Sequence, residues 1–281
     1  MSDATANADQ IKFWNGVTGE KWAQHNADMD RNLTDATSGV IALAAAKPGE
    51  RIVDIGCGAG ETSLLLADAV GDEGSVLGVD VSGPLLELAR KRAGSRKNVR
   101  FVQGDAAFHA FTPHADLVFS RFGVMFFDKP APAFANIRKA LKPGGRLAFV
   151  CWRPPMENEW IRATVGTAQP LLPPQPPADP FAPGPFAFAD PKRVESILGE
   201  AGFKSVKVEK LDGQMNLGPS VEHAVYQMTN LGPLSRALNE EGVDDATRAK
   251  VGKAVGETLD KIRKDGVIKP AIACWLVSAV N

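Results

Sequence analysis

The sequence predicts an α/β fold: a doubly wound, mostly parallel sheet carrying helical and irregular lid additions. Three observations lead there. Between residues 50 and 150, short β-branched runs alternate with Ala/Leu-rich stretches of helical spacing, the texture of repeated strand–helix units. The run Leu147, Ala148, Phe149, Val150 is apolar at every position, as a strand buried on both faces has to be. Glycine and proline fall together where helices must stop.

In chain order, strands are expected at Arg51–Ile55, Ser75–Asp80, Val99–Gln103, 117–120 and 146–150. Helical stripes separate them: Leu64, Leu65, Ala67 and Ala69, then Leu85, Leu86, Leu88 and Ala89, then Phe134, Ile137, Ala140 and Leu141. Lys47-Pro48-Gly49-Glu50 and Lys142-Pro143-Gly144-Gly145 precede the first and fifth strands. Glycine there supplies positive φ at a helix end, and proline prevents the helix from continuing. Beyond Cys151, eleven of the twenty prolines crowd between Pro154 and Pro191, which excludes a long helix or an interior strand. The apolar anchors Trp160, Ile161, Leu171, Leu172, Phe181, Phe186 and Phe188 favour an ordered flap over a disordered linker. Regular structure resumes with a helix at 191–201 capped by Gly202 and a strand at 206–211. Helices at 221–238 and 244–264 follow, the second with Val251, Val255, Leu259 and Ile262 on one stripe, and Ala271–Val280 closes as a strand.

Composition narrows the classes. The 281 residues, 44% hydrophobic and 23% charged, suffice for a full core. A net charge of −1 gives no global basic field, so neither nucleic acid nor anionic lipid is the expected partner. Cys57, Cys151 and Cys274 lie far apart with no C-x-x-C pair, which offers neither a zinc site nor a disulfide framework, so no metal is expected. A reducing, cytoplasmic setting is the simplest expectation. The polar, acidic first ten residues do not resemble a signal peptide, and no apolar run reaches bilayer length, so a soluble chain without membrane insertion is expected.

The segment Val53-Asp54-Ile55-Gly56-Cys57-Gly58-Ala59-Gly60-Glu61-Thr62 ends a strand and opens a helix. Glycines there let the backbone turn tightly and let a ligand lie against it. Asp80 ends the second strand, where a carboxylate reaches ribose hydroxyls. The spacing is G-x-G-x-G preceded by Asp54, not the G-x-G-x-x-G of dinucleotide sites. A carboxylate beside the loop repels phosphate but helps orient a cationic amino-acid group.

Together with Gly78-Val79-Asp80-Val81-Ser82, Gly104-Asp105-Ala106 and Lys142-Pro143-Gly144-Gly145, this loop resembles the ordered motifs of class I, Rossmann-like S-adenosylmethionine-dependent methyltransferases. The resemblance covers roughly residues 36–151 and implies a seven-stranded sheet with an antiparallel last strand, here Ala271–Val280. It places the methionine end of S-adenosylmethionine over Gly56, Gly58 and Gly60, with Asp54 close by. Asp80 then accepts from the ribose hydroxyls, Val81 packs on the adenine, Asp105 accepts from its exocyclic amine, and Ala106 offers a backbone N–H. Ser120 is placed at the methyl end. Singly, Asp54 and Asp105 fit equally as caps and Val81 as core. The leader, Phe13-Trp14-Asn15-Gly16 and Gly19-Glu20-Lys21-Trp22, resembles that of the ubiquinone- and menaquinone-biosynthesis-like branch, which folds over the cofactor. Trp14, Trp22 and Arg31 are the lid candidates; the two tryptophans fit simple helix packing as well. The organisation expected is an N-terminal helical lid (1–46), a cofactor-binding Rossmann-like core (47–151), a Pro-rich substrate flap (152–190), and the rest of the core (191–281) with a helical insertion at 213–268.

The implied reaction is methyl transfer to O, N, S or C of a small aromatic or amphipathic molecule, leaving S-adenosylhomocysteine. Alignment and exclusion of water carry such a reaction, so a strong acid–base constellation is not required. His25, His109, His114 and His223 share no triad or metal spacing; His25 and His109 are the two placed to reach the pocket. Arg121, just after the fourth strand, fits a substrate anion or a bracing role, and Trp152, ending the fifth, fits pocket wall or core. The competing readings are an NAD(P)-dependent oxidoreductase, which the loop spacing and Asp54 disfavour, and a non-catalytic S-adenosylmethionine-binding protein.

Overall fold

The computed structural model describes residues 7–174 and 179–281; residues 1–6 of the expected lid and 175–178 of the Pro-rich flap lie outside the described residues. Strands form at Arg51–Ile55 (β1), Ser75–Asp80 (β2), Val99–Gln103 (β3), Ala115–Arg121 (β4), Leu141–Trp152 (β5), Lys204–Gln214 (β6), Arg263–Lys264 (β7), Val267–Ile268 (β8) and Ala271–Val280 (β9). Seven of them make one sheet in the order β3-β2-β1-β4-β5-β9-β6, parallel throughout except for β9, which runs antiparallel to both β5 and β6. This is the expected doubly wound sheet with its antiparallel last strand. The strand order turns back between β1 and β4, and a crevice opens outside the carboxyl ends of strands at such a switch point.

Helices occupy Ala8–Asn15 (α1), Val17–Gln24 (α2), Asn26–Asn32 (α3), Thr34–Ala44 (α4), Glu61–Val70 (α5), Gly83–Ala93 (α6), Pro130–Arg138 (α7), Glu159–Ile161 (α8), Pro191–Glu200 (α9), Val221–Asn230 (α10), Gly232–Leu238 (α11) and Asp245–Ile262 (α12). Alternation along β5 separates the two layers, since successive side chains point to opposite faces. Arg146 reaches the Ala44 carbonyl at the end of α4, whereas Phe149 meets Phe134 of α7. Ala36, Val40 and Ala44 of α4 are fully buried, so this helix covers the sheet rather than the crevice.

Local chemistry explains where the elements depart from expectation. The span 221–238 is two helices, not one. Leu231 is extended, Gly232 takes φ +76°, and Pro233 opens the next helix without an N–H to offer. Helix α12 ends at Ile262 instead of 264, because Asp265 and Gly266 (φ +50° and +78°) turn a short β7–β8 hairpin. At the other end, Asp244 caps α12 through Thr247 N. Strand β5 starts five residues early, at Leu141. Its pairing with β4 jumps between Ala115/Leu141 and Leu117/Arg146, so Lys142-Pro143-Gly144-Gly145 is an irregularity in the strand edge. In the flap, Trp160, Ile161 and Phe188 are buried while Leu171 and Phe181 are exposed.

Candidate active site

The crevice at the switch point is a cavity of about 260 Å³ lined by the β1–α5 loop, the ends of β2, β3 and β4, and the first three helices. Gly56, at φ +66°, lies so near the segment after β4 that a Cβ on it would stand 2.7 Å from Gly123 Cα. A side chain on Gly123 would likewise meet Ile55 O at 2.7 Å. Only glycine on both sides allows the two segments to touch. Gly56, Cys57, Gly58 and Ala59 then expose backbone to the cavity. Gly60 does not reach it: its Cβ position is filled by Ala89 and the Phe101 ring, so it fixes how α5 leaves the loop.

Asp54 also stands elsewhere than expected. It is fully buried behind the loop, outside the cavity lining, and its Oδ2 accepts from Thr62 Oγ1 (2.8 Å) and Ser63 Oγ (2.6 Å). It ties the first turn of α5 to β1, where the helix dipole also favours a carboxylate. Burial pushes its pKa up to about 6, and Oδ1 has no partner among the described residues. Ser120 is a second correction. Its Oγ donates to Ile55 O (2.8 Å) and accepts from Gly123 N (3.2 Å), bracing the β1–β4 contact without facing the cavity.

The acids of β2 and β3 do face it. Asp80 accepts from Gly58 N and Ser82 N, each at 2.8 Å, and burial raises its pKa from the ordinary aspartate value. Asp105 accepts from Ala107 N (2.9 Å) and from Asn7 Nδ2 (2.8 Å); Val81 and Ala106 line the wall beside these acids. Trp14 and Trp22 meet edge to face at 5.5 Å in the cavity lining, and Trp14 also touches Phe126 at 5.6 Å. Arg31 does not join them. It pairs with Asp28 (2.8 Å) and donates to the Asn216 carbonyl, away from the cavity. His25 lies beside Asp28 and Tyr226, and His109 meets Phe111 edge to face, so neither lines the site.

Arg121 sits in the wall within an ionic cluster that local spacing could not reveal. It pairs with Glu61, donates to Thr37 Oγ1 (2.7 Å) and lies 3.7 Å from Asp30, which is held by Arg92 at 2.9 Å. Burial raises the Glu61 pKa, and the Arg121 charge opposes that rise. Trp152 stacks on Phe122 at 4.3 Å and meets Trp160 at 5.1 Å. With Met125, Met215 and Met228 they make an apolar compartment beside the charged one. Phe122 holds this place at φ +58°, a costly backbone for a bulky residue, stabilised by the Phe122 N–H donating to Val150 O.

The charged lining settles which ligands suit the cavity. Asp30, Glu61, Asp80 and Asp105 oppose one guanidinium, Arg121, among the described lining residues. Such a field favours a cation and repels a pyrophosphate. A sulfonium cofactor with an amino-acid tail fits it. A buried acceptor without a partner among the described residues, Gln10 Oε1 in the lining, also fits a ligand bearing N–H or O–H donors.

Comparison with known proteins agrees. Residues 52–145 match a family described as a methyltransferase domain. The chain is 36% identical over 124 residues to an aklanonic acid methyltransferase of Streptomyces sp. (strain C5), covering 43% of this chain and 53% of that one. It is 33% identical over 122 residues to a ubiquinone/menaquinone biosynthesis C-methyltransferase of Teredinibacter turnerae, covering 42% and 49%. The chain thus spans about half the length of these curated relatives. A demethylmenaquinone methyltransferase of Staphylococcus saprophyticus aligns more fully, at 26% identity over 78% of this chain and 99% of that one. The fold is shared with a methyltransferase from Bacillus halodurans described as putative (TM-score 0.56, 20% identity, 87% and 97% covered). It is shared too with a Haemonchus contortus phosphoethanolamine N-methyltransferase solved with S-adenosyl-L-methionine (TM-score 0.59, 19% identity, 96% and 59% covered). Residues 52–145 thus carry a methyltransferase domain on a Rossmann-like sheet, and the chain is similar to methyltransferases of ubiquinone and menaquinone biosynthesis.

Proposed function

We propose that this protein transfers the methyl group of S-adenosylmethionine to a nucleophilic atom of a small aromatic or amphipathic molecule. The acidic cavity lining carries this reading, because it suits a sulfonium and opposes the pyrophosphate of NAD(P). When bound, S-adenosylmethionine supplies a methyl group on an already activated leaving group. The chain's own task is to hold, align and dry the site.

Asp80 accepts from the ribose hydroxyls with the lone pairs left over from Gly58 N and Ser82 N. Val81, Asp105 and Ala106 hold the base, and Gly56 and Gly58 give the methionine chain a wall without side chains. Glu61 and Asp30 face its ammonium, and Arg121 its carboxylate, a pairing in which each partner gains from low local dielectric. Trp14 and Trp22 close the opening against water. Phe122, Trp152, Trp160 and the neighbouring methionines offer a planar or amphipathic acceptor large, adaptable apolar contact.

The same acidic mouth argues against a nucleic-acid acceptor, whose phosphates it would repel. No helix among the described residues is long and apolar enough to cross a membrane. The three cysteines are free and buried, consistent with a cytoplasmic enzyme.

Calorimetry tests this reading. S-adenosylhomocysteine should bind while NAD and NADP give no heat; tight NAD binding would overturn it. Asp80→Ala should weaken S-adenosylhomocysteine by about tenfold or more, the loss of charge-assisted hydrogen bonds to the ribose. Unchanged affinity in the folded variant would mean the ribose lies elsewhere.

A further inference from the structure

Helix α1 contributes to the cavity through one face. Asn7, Gln10, Ile11 and Trp14 recur at helical spacing, and all four line it. The helix buries none of its residues fully, and its ring contacts are those of Trp14 with Phe13, Trp22 and Phe126. Polar contacts to the nucleotide-facing elements add to them. Asn7 donates to Asp105 Oδ2 (2.8 Å) and accepts from Asp128 N (2.7 Å). Ser82 Oγ donates to Trp14 O, and Asn15 bridges Val81 O and Gly83 N.

Gln10 stands between these two anchorages, one helical turn from each. Its Oε1 is buried and has no hydrogen-bond partner among the described residues. An amide oxygen held dry at a cost of about 1–3 kcal/mol needs a donor to offset it. At the base end of the cavity the missing donor is an N–H. Asp105, the acceptor for a 6-amino group, already shares one oxygen with Asn7. An exocyclic amine carries two N–H bonds, and one carboxylate does not use both.

We propose that Gln10 is the second acceptor for the exocyclic amine of the cofactor's base, so that the 6-amino group is read from two sides, by Asp105 of the core and Gln10 of the lid. The proposal rests on the cofactor reading above and adds a specificity residue to it. The lid then selects an aminopurine over an oxopurine, because a 6-oxo group would set its own oxygen against Gln10 Oε1. The contact also links recognition to closure, since the acceptor comes from the lid itself.

Calorimetry on the full chain, comparing S-adenosylhomocysteine with its 6-oxo analogue S-inosylhomocysteine, tests this. Gln10→Ala should bind S-adenosylhomocysteine about five- to tenfold more weakly. Its affinity for the 6-oxo analogue should be unchanged or tighter, and Gln10→Glu, which keeps an acceptor, should retain S-adenosylhomocysteine. The ligand-free Gln10→Ala protein should melt no lower than the wild type, because truncation loses no hydrogen bond and removes an unpaired buried oxygen. Equal loss for both ligands would make Gln10 a prop for the lid and overturn the proposal. So would no loss in Gln10→Ala, or a loss in Gln10→Glu matching that in Gln10→Ala, which would make the amide a donor. A wild type that binds neither ligand would instead overturn the cofactor reading, and this inference with it.

Discussion

The two halves of the cavity are built by different rules. The nucleotide half is made by strand ends and the loops that follow them, and its contacts are largely backbone N–H groups fixed by β1, β2 and β3. The acceptor half is made by side chains from remote stretches: Phe122 after β4, Trp152 ending β5, Trp160 in the flap, and Met215 and Met228 around α10. A rigid backbone cradle can serve one fixed cofactor, whereas a patchwork of aromatic and methionine side chains can be re-cut for many acceptors. On the proposed function, fold and donor are decided in one half and substrate choice in the other.

The seam between the halves is where one substitution should do most harm. Gly123→Val places a branched side chain 2.7 Å from Ile55 O and 2.9 Å from Gly56 Cα, which are backbone atoms that cannot swing aside. The expected outcome is loss of S-adenosylhomocysteine binding together with a stability cost of about 3 kcal/mol or more. Calorimetry and thermal melting check it. A variant with native affinity would show that the two loops need not touch.

Next in size is a change confined to the acceptor half. Trp152→Ala removes the ring stacked on Phe122 and should cost about 3 kcal/mol in thermal unfolding, the low end for a large-to-small change because one side already faces a cavity. Affinity for S-adenosylhomocysteine should stay within about twofold of wild type, well under 1 kcal/mol. A tenfold loss of cofactor affinity would dissolve the division into halves.

The same division governs what the sequence made legible. Strands β1, β2, β3 and β9 lie where their local pattern puts them, and Asp80, Val81, Asp105 and Ala106 line the cavity, because motif residues there sit within a few positions of a strand end. The cluster of Asp30, Glu61, Arg92 and Arg121 joins four distant stretches, so no spacing could announce it. Asn7 and Gln10 belong to the lid face and were hidden among ordinary polar residues. Other signals were local and present: Gly232-Pro233 breaks the helix, Asp265-Gly266 makes a hairpin, and Gly123 marks a close approach. Side-chain direction was the hardest quantity. Asp54 and Ser120 occupy the anticipated strand ends but point behind the loop, where hydroxyl and backbone partners hold them.

Asp54 gives the smallest and sharpest test, because it belongs to the nucleotide motif without touching the nucleotide site. Its folded pKa of about 6 lies above the ordinary 3.8, so the folded chain binds the proton more tightly than the unfolded one. Stability from this group is therefore greatest at low pH and declines as pH rises through the interval between those values, by on the order of 1–3 kcal/mol in all. Glu50, Asp28 and Asp116, whose pKa values are lowered by hydrogen bonds and by cationic neighbours, slope the other way, so the comparison has to be with a variant. In Asp54→Asn the oxygen can still accept from Thr62 and Ser63 while the titration is gone. The stability of the variant relative to wild type should thus rise between pH 4 and pH 7 and level off above, as read by denaturant melts of the ligand-free protein. Its affinity for S-adenosylhomocysteine at pH 8 should remain within about threefold of wild type, since a change behind the loop removes no contact. A flat stability difference would mean Asp54 is not the buried acid found here. A loss of binding as large as that expected for Asp80→Ala would turn it back into a ligand contact and move the boundary of the nucleotide half one layer deeper.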